Sequence, residues 1–95
     1  MMEFLVRIDI DIPLDTPPER KQELLDAEAA RARELMAAGV IVRIWRLPGR
    51  TANVGVWAAP DATALHEVLT SLPLFPYFTT QVEALAVHYL EAPAG

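Results

Sequence analysis

Hydrophobic and polar residues alternate strictly along the first part of the chain, EFLVRIDIDI, residues 3–12. Because successive side chains of an extended chain point to opposite faces, every second residue here falls on one apolar face. Arg7, Asp9 and Asp11 fall on the other face, which is polar. This pattern predicts a β-strand with one face buried and one face solvated.

The next apolar residues recur with the spacing of an α-helix, and they predict a helix over residues 17–38. Thr16 and Glu19 have the spacing of a capping box, and Pro17 would take the first helical position. Gly39 is suited to the left-handed conformation that ends many helices. The apolar stripe of this predicted helix consists of Leu24, Leu25, Ala32, Leu35 and Met36.

Two further strands are predicted over residues 40–47 and 51–58, which are rich in β-branched and aromatic side chains. Pro48 and Gly49 between them suit the two central positions of a type II turn, so the strands should form a hairpin. Gly55 lies inside the second of these strands, where a glycine often marks a bulge or a close approach of another backbone.

A second helix is predicted after Pro60, with Asp61 as its N-cap and Pro73 as its end. A fourth strand is predicted over residues 79–90. The resulting order βαββαβ is that of ferredoxin-like α+β proteins, in which two helices cover one face of a four-stranded antiparallel sheet.

The opposite face of the predicted sheet is too apolar to face water. We therefore expect two such sheets to pack face to face in a homodimer, which gives a dimeric α+β barrel. The apolar residues assigned to this face are Leu5, Ile41, Trp45, Trp57, Leu85 and Val87.

Composition and net charge bear on the number of domains, on the class of binding partner and on the cellular location. The chain has 95 residues, 53% of them hydrophobic, and a formal net charge of −5, which indicates a single domain over residues 1–91 with a flexible tail at residues 92–95. The acidic balance argues against nucleic acid and anionic membranes, whose partners carry basic patches. The chain has no cysteine, and its charged first residues fit neither a signal peptide nor a membrane span, so we expect a cytoplasmic protein.

Glu28 is the first candidate for chemistry. It lies one turn after Leu24 and Leu25 and one turn before Ala32, so a carboxylate falls within the core-facing stripe of the first helix. If Glu28 is buried, desolvation of its charged form would tune it towards a general base. The alternative is that it only borders the stripe and extends to water past the small alanines around it.

Three arginines surround the predicted hairpin turn. Arg43 and Arg46 are three positions apart on one strand and therefore point to opposite faces, so only one of them can enter a given pocket. Arg50 lies in the turn itself. Each could act as a fork for the carboxylate of a ligand, or could make a surface ion pair with an acidic side chain such as Asp9.

Asn53 and Thr51 share one face of the third strand. Because asparagine is disfavoured inside a strand unless its amide is used, Asn53 could donate to a substrate carbonyl or to a developing oxyanion. A backbone hydrogen bond near the turn would also explain it. Trp45 and Trp57 could line a pocket, although core or interface positions are commoner for tryptophan. The two histidines are far apart in sequence and indicate no metal site.

Two segments of the chain resemble the muconolactone Δ-isomerase family of aromatic degradation. The first has the pattern W-R-x-x-G-x-x-A-N, which falls at residues 45–53. The second has the pattern A-L-H-x-x-L-x-x-L-P-L-F-P-Y, which falls at residues 64–77. The resemblance extends without an evident gap through the first helix, where Glu28 falls on an acidic position of the family.

The resemblance implies a ferredoxin-like dimer assembled into a larger ring-like homo-oligomer, often a decamer, with no cofactor. The implied reaction belongs to the β-ketoadipate pathway and moves a proton from the γ to the α carbon of an unsaturated lactone with a carboxymethyl arm. Glu28 would be the base, Asn53 would donate to the oxyanion, and an arginine would hold the free carboxylate. The residues implied for substrate binding are Asn53, Arg46, Arg43, Thr51, Trp45 and Tyr77.

The chain departs from the family pattern beside the expected pocket, with Val42 where arginine is frequent and Thr51 where tyrosine is frequent. The substrate clamp could therefore be altered, and two alternatives stay open. One is another cofactor-free enzyme on the same scaffold, acting on an aromatic or polyketide-like intermediate in a larger or more apolar pocket. The other is a non-catalytic binding or assembly module, in which Glu28 would point to solvent and no cavity would lie under the first helix.

Overall fold

The computed structural model describes residues 1–91 and shows the predicted order βαββαβ. The predicted tail, residues 92–95, lies outside the described residues. Within residues 1–91, no helix is long and apolar enough to span a membrane. The main elements are β1 (Met2–Ile10), α1 (Pro18–Ala37), β2 (Ile41–Arg46), β3 (Ala52–Ala59), α2 (Ala62–Thr70) and β4 (Phe78–Leu85).

The strands form one antiparallel sheet in the order β2-β3-β1-β4, with the helices packed on one of its faces. The alternation in β1 has the predicted effect, because Phe4, Val6 and Ile8 are buried beneath the helices. Leu35 of α1 and Leu65 of α2 are buried in the same cluster. The predicted ferredoxin-like fold is confirmed.

Two residues assigned to the outer face of the sheet, Ile41 and Trp57, instead lie in the core beneath the helices, so that assignment was wrong. In β3 both faces carry apolar residues, so the alternation alone does not select a face. Gly55 leaves a gap on the inner face, and the indole of Trp57 lies over it. Ile41 pairs with Trp57 and therefore shares its face.

The predicted capping box at the start of α1 was also wrong. The N-cap is Pro17, and no side chain caps the helix there. Because a residue that precedes proline is driven to an extended conformation, Pro17 stays extended and the helix begins at Pro18. The other end fits the prediction, since Gly39 is left-handed and the N–H of Val40 bonds back to the carbonyl of Leu35.

Asp61 caps α2 as predicted, with its carboxylate accepting a hydrogen bond from the N–H of Ala64 at 2.8 Å. The fourth strand is shorter than the predicted span and ends at Leu85. Val82 and Leu85 are exposed on β4, which lies at an edge of the sheet and has few apolar neighbours to extend it. His88 therefore lies beyond the sheet, where its Nδ1 accepts a hydrogen bond from the N–H of Leu90.

The hairpin of β2 and β3 has the predicted tight turn, in which Gly49 adopts a positive φ. A β-bulge at Val42 interrupts the pairing of β2 with β3, and the register shifts between Ile41 and Arg43. Gly55 is a position of close approach, because a Cβ built there would lie 2.5 Å from the carbonyl oxygen of Arg43. The hairpin backbone therefore admits no larger residue at position 55 without a shift of β2.

Gly55→Ala is expected to destabilise the protein by about 1–3 kcal/mol, because the added methyl group overlaps a neighbouring backbone. Urea unfolding followed by circular dichroism measures the change. Gly39→Ala is the matched control, since it meets nothing within 4 Å and costs only about 1 kcal/mol of left-handed backbone strain. Equal stability of Gly55→Ala and the unmodified protein would contradict this account of the hairpin.

Candidate active site

Glu28 lies half-buried on α1, and its carboxylate binds a backbone group on another part of the chain. The N–H of Leu74 donates to Oε1 of Glu28 at 2.9 Å. Burial raises the pKa of the Glu28 carboxyl above its usual value, and the Leu74 hydrogen bond opposes that shift because it stabilises the charged form. Glu28 is therefore neither a free surface carboxylate nor a group locked in its charged form.

A cavity of about 420 Å³ opens between the first half of α1 and the end of the sheet, and Glu28 is not one of the residues that line it. Leu74 connects Glu28 to this cavity, since Leu74 is one of the lining residues and its N–H donates to Glu28. The volume lies at the low end of the range of small-molecule pockets, about 300–1,000 Å³. The lining residues are Ile10, Asp11, Ile12, Leu14, Lys21, Leu25, Arg46, Thr51 and Leu74.

Two cationic side chains, Lys21 and Arg46, line this cavity from opposite layers of the fold. Neither makes an ion pair with any residue in the range 1–91. The cavity also contains one acidic side chain, Asp11, and is otherwise mostly apolar. This arrangement suits a small ligand with an apolar body and a carboxylate.

Lys21 was not among the site residues predicted from the sequence, although its spacing from Glu28 indicates that it lies on the same side of the helix. Leu25 and Glu28 follow it by four and seven residues, and these spacings place all three side chains along one side of a helix. The long stem of lysine allows the ammonium to extend beyond its own turn. Any search for cations one or two turns from Glu28 would have found this residue.

Asn53 lies next to the cavity on the inner face of the sheet. It pairs with Arg46 on β2 and with Ile8 on β1, and cross-strand partners project to the same face. Its Oδ1 is buried and accepts no hydrogen bond from any residue in the described part of the chain. Thr51, two positions earlier, lines the cavity directly. The structure thus brings Asn53, Arg46 and Thr51 together.

Arg43 and Trp45 lie on the opposite face of the sheet, away from this cavity. Their cross-strand partners, Val56 and Val54, alternate with the inward-facing Gly55. The guanidinium of Arg43 lies 4.8 Å from the ring centroid of Trp45, a cation–π contact. The structure therefore does not group these two predicted site residues with the other candidates.

Arg50 is also occupied elsewhere. Its guanidinium lies 3.5 Å from a carboxylate oxygen of Asp9, which is the ion pair that the sequence offered as an alternative. Val42 lies at the bulge and not among the residues that line the cavity. Tyr77 supports the cavity through its backbone, because its carbonyl accepts a hydrogen bond from the N–H of Asp11.

The residues 1–91 contain no group of three or more acidic, histidine or cysteine side chains that could hold a metal ion. His66 is exposed on α2. Lys21 and Arg46 line the cavity, whereas Glu28 and Asn53 do not. Glu28 is connected to the cavity through Leu74, and Asn53 pairs with Arg46.

Comparison with known proteins now adds to this geometry. A family model described as muconolactone delta-isomerase matches residues 2–91. The chain belongs to the muconolactone delta-isomerase family. A muconolactone delta-isomerase of Rhodococcus opacus is 38% identical over 88 residues, 93% of this chain and 95% of that protein. Muconolactone delta-isomerase 2 of Acinetobacter lwoffii is 39% identical over 87 residues, 92% of this chain and 91% of that protein.

A solved structure supports the same family membership. The crystal structure of a muconolactone isomerase at 3.3 Å resolution superposes with a TM-score of 0.90 at 33% sequence identity. The superposition covers 99% of this chain and 98% of the other. The muconolactone delta-isomerase fold is therefore present over essentially its full length.

Glu28→Gln is expected to stabilise this family member at neutral pH. The native state binds a proton at Glu28 more tightly than the unfolded state does, so stability is lost as pH rises from the ordinary value of 4.5 through the raised pKa. Glutamine keeps an acceptor for the Leu74 N–H without a buried charge. Thermal melts of both proteins should coincide near pH 4 and separate at pH 7, with the variant melting higher.

The exposed Glu67 gives the matched control for these melts. Glu67→Gln should change the melting temperature little at either pH, because no desolvation is relieved at an exposed position. A lower melting temperature of Glu28→Gln at pH 7 would contradict the assignment of desolvation as the dominant effect.

Proposed function

We propose that this protein is a cofactor-free isomerase that moves a proton from the γ to the α carbon of muconolactone or a related unsaturated lactone, with Glu28 as the base. The observation that carries the proposal is the half-buried carboxylate of Glu28, bound to the N–H of Leu74 beside a cavity with two cations. Membership of the muconolactone delta-isomerase family supports the same reaction.

Glu28 has the properties that a reversible proton carrier needs. A raised pKa brings a carboxyl group closer to neutral pH, where it can both accept and return a proton. Oε1 is held by Leu74, and Oε2 accepts no hydrogen bond from a residue in the range 1–91. The γ and α carbons of the lactone are separated by a single atom, so one carboxylate can serve both positions.

The proton transfer creates negative charge that the site must stabilise. Removal of the γ proton leaves a dienolate, in which the electron pair of the broken C–H bond is delocalised onto the lactone carbonyl oxygen. A donor aimed at that oxygen lowers the barrier, and we assign this role to the Nδ2 of Asn53. Return of the proton from Glu28 to the α carbon completes the double-bond shift and restores the carboxylate.

Arg46 and Lys21 would hold the carboxymethyl group of the substrate. Both line the cavity and neither is committed to an ion pair within the described residues. A guanidinium can bind a carboxylate through two parallel hydrogen bonds, and an ammonium adds a point charge. Thr51 lines the same cavity and would contact the lactone ring.

Two observations disfavour the alternatives raised by the sequence. A binding or assembly module would have Glu28 in solvent and no cavity under α1, whereas Glu28 is half-buried beside a cavity of about 420 Å³. An enzyme for a bulkier aromatic or polyketide-like substrate would need more space than this volume at the low end of the usual range. The small acidic lactone fits both the size and the charge of the cavity.

We further propose a homo-oligomer that is built from sheets packed face to face. The outer face of the sheet carries Leu5, Trp45 and Leu85, and the last two are exposed. Val87 and Tyr89, beyond β4, expose 78% and 79% of their surface, which leaves apolar area for a second copy to cover. The oligomer number, the domain limits and the cytoplasmic location stay predictions from the sequence.

Glu28→Gln is expected to lower turnover of muconolactone by at least about 100-fold, because the amide cannot accept the γ proton. The assay follows the ring protons by NMR in deuterated water, where the unmodified protein should convert muconolactone to the enol-lactone. Far-UV circular dichroism confirms that the variant is folded. Full activity of Glu28→Gln would refute its role as the base.

Arg46→Met is expected to raise KM for muconolactone by about 10–100-fold with a smaller change in kcat, because a hydrogen-bonded charge pair is worth about 1.5–3 kcal/mol. Methionine keeps the length of the aliphatic stem. Arg33→Met, at an exposed position of α1 outside the cavity, is the control and should leave KM unchanged. An unchanged KM in Arg46→Met would exclude this arginine as the carboxylate clamp.

A further inference from the structure

Within residues 1–91, side chains of α1 form hydrogen bonds to another part of the fold at two places, and both lie on the short segment from Ser71 to Leu74. At the first, Oε1 of Glu28 accepts the N–H of Leu74 at 2.9 Å. At the second, Nε and Nη2 of Arg31 donate to Oγ of Ser71 at 3.1 and 3.0 Å. The base proposed for the reaction therefore makes one of two links between the same pair of segments.

The two links are close together along both segments. Glu28 and Arg31 are three residues apart on α1, a spacing that makes two side chains neighbours on a helix surface. Ser71 and Leu74 are also three residues apart, and one of the two residues between them is Pro73. Because its ring fixes the φ of Pro73, a displacement of Ser71 is transmitted through a short and stiff backbone to the N–H of Leu74.

The link between Arg31 and Ser71 has a defined geometry. The hydroxyl of Ser71 donates its own hydrogen to the carbonyl of Val68 at 2.6 Å, which leaves its lone pairs to accept from the guanidinium. The Nη1 of Arg31 binds a carboxylate oxygen of Glu34 at 2.9 Å on the same helix. The planar guanidinium is thus held on two sides, with the Arg31 side chain only 34% exposed.

Apolar burial does not by itself direct the N–H of Leu74. The side chains of Leu72 and Leu74 are 4% and 1% exposed, so the core anchors this segment. Hydrophobic burial is non-directional, however, whereas a hydrogen bond weakens steeply when its donor is misaligned. The polar link at Ser71 supplies an orientation that the apolar contacts do not.

We propose that Arg31 and Ser71 are positioning residues, whose hydrogen bonds hold the N–H of Leu74 in line with the carboxylate of Glu28. This role deepens the proposed function and rests on it for its kinetic consequence. Neither Arg31 nor Ser71 lines the cavity, so both act on the reaction through Glu28. Loss of the link should weaken the Leu74 hydrogen bond, which stabilises the charged carboxylate, and should therefore raise the pKa of Glu28 further.

The charged groups around Glu28 determine which variant isolates this effect. Residues 71–76 carry no ionisable side chain, those of α2 are exposed, and the inner face of the sheet contributes only Arg46. The ionisable side chains along the same side of α1 or at the connected cavity are Lys21, Arg31, Arg46 and Asp11. Removal of the Arg31 cation would raise the pKa of Glu28 through charge as well as through geometry. Ser71→Ala removes the link and leaves every charge in place, so it is the decisive variant.

A pH titration of the Leu74 amide resonance tests the positioning without any turnover. Protonation of Glu28 changes the acceptor of this N–H, so its ¹H–¹⁵N resonance moves as Glu28 titrates. Ser71→Ala should raise the midpoint of that titration by roughly 0.5 pH unit, because the charged form loses part of a hydrogen bond. Thr70→Ala is the matched control and should leave the midpoint in place, since the Thr70 hydroxyl binds the carbonyl of Glu67 and no group of α1.

Further variants identify the partner of Ser71. Ser71→Thr keeps the hydroxyl and should restore the midpoint, and Glu34→Gln, which removes only the exposed ion pair of Arg31, should not change it. Arg31→Met should raise the midpoint at least as much as Ser71→Ala does, and the double variant should equal Arg31→Met alone. An unmoved midpoint in Ser71→Ala, an equal shift in Thr70→Ala or additive effects in the double variant would overturn the proposal.

The kinetic consequence is a shift of the pH profile. If Glu28 is the base, kcat for muconolactone rises with pH as Glu28 loses its proton. Ser71→Ala should then lower kcat about threefold below the midpoint, the equivalent of roughly 0.5 pH unit, with KM changed less than about twofold. A profile of Ser71→Ala that coincides with that of the unmodified protein would overturn the positioning role.

The two readouts separate this inference from the proposed function. If the unmodified protein does not convert muconolactone, the proposed function fails, and the Leu74 titration still decides whether Ser71 positions this N–H. If Ser71→Ala does not fold, as judged by circular dichroism, the same titration is made on Arg31→Lys. That variant keeps the charge and replaces the two-pronged guanidinium by a single ammonium, so an unmoved midpoint would again overturn the proposal.

Discussion

The hydrogen bond from the N–H of Leu74 to Glu28 ties together the parts of the molecule on which the site depends. It joins α1 to the segment that follows α2, and it does so at one wall of the cavity. Burial alone would favour the neutral form of the Glu28 carboxyl. Several hydrogen-bond donors would instead stabilise its charged form, lower its pKa and make it a weak base. One backbone donor leaves the charged form accessible but costly, which is the balance that a proton carrier requires.

The placement of charge within the fold is compatible with the acidic ligand proposed for this acidic protein. The net charge is −5, yet Lys21 and Arg46 line the cavity with a single carboxylate, Asp11, among the lining residues. Exposed charges more than about 8–10 Å apart are largely screened at physiological ionic strength, so the local pair matters more than the total. The other arginines of the hairpin are engaged elsewhere, Arg43 with an aromatic ring and Arg50 with a carboxylate.

Most of the fold could be predicted from the sequence, because its local signals agree with one another. The alternation in β1, the cap at Asp61 and the turn at Gly49 each indicate the element that forms there. The predictions that were wrong concern element boundaries, where the outcome depends on adjacent residues or adjacent strands. Two consecutive prolines moved the start of α1, and β4 ends early because it lies at an edge of the sheet. The sequence singled out Glu28 and Asn53 as candidates, and only the packing of the layers shows which cations line the cavity near them.

The bulge at Val42 has a consequence for how β2 serves two regions of the protein. Ile41 and Arg46 are five residues apart, an odd number that would place them on opposite faces of a regular strand. The extra residue in the pairing restores their phase, so Ile41 enters the core and Arg46 faces the cavity. Loss of Val42 would therefore leave every other side chain of the strand on its present face. Loss of Ile44 or Trp45 would also keep Ile41 and Arg46 in phase, but it would turn Arg43 from the outer face to the inner face.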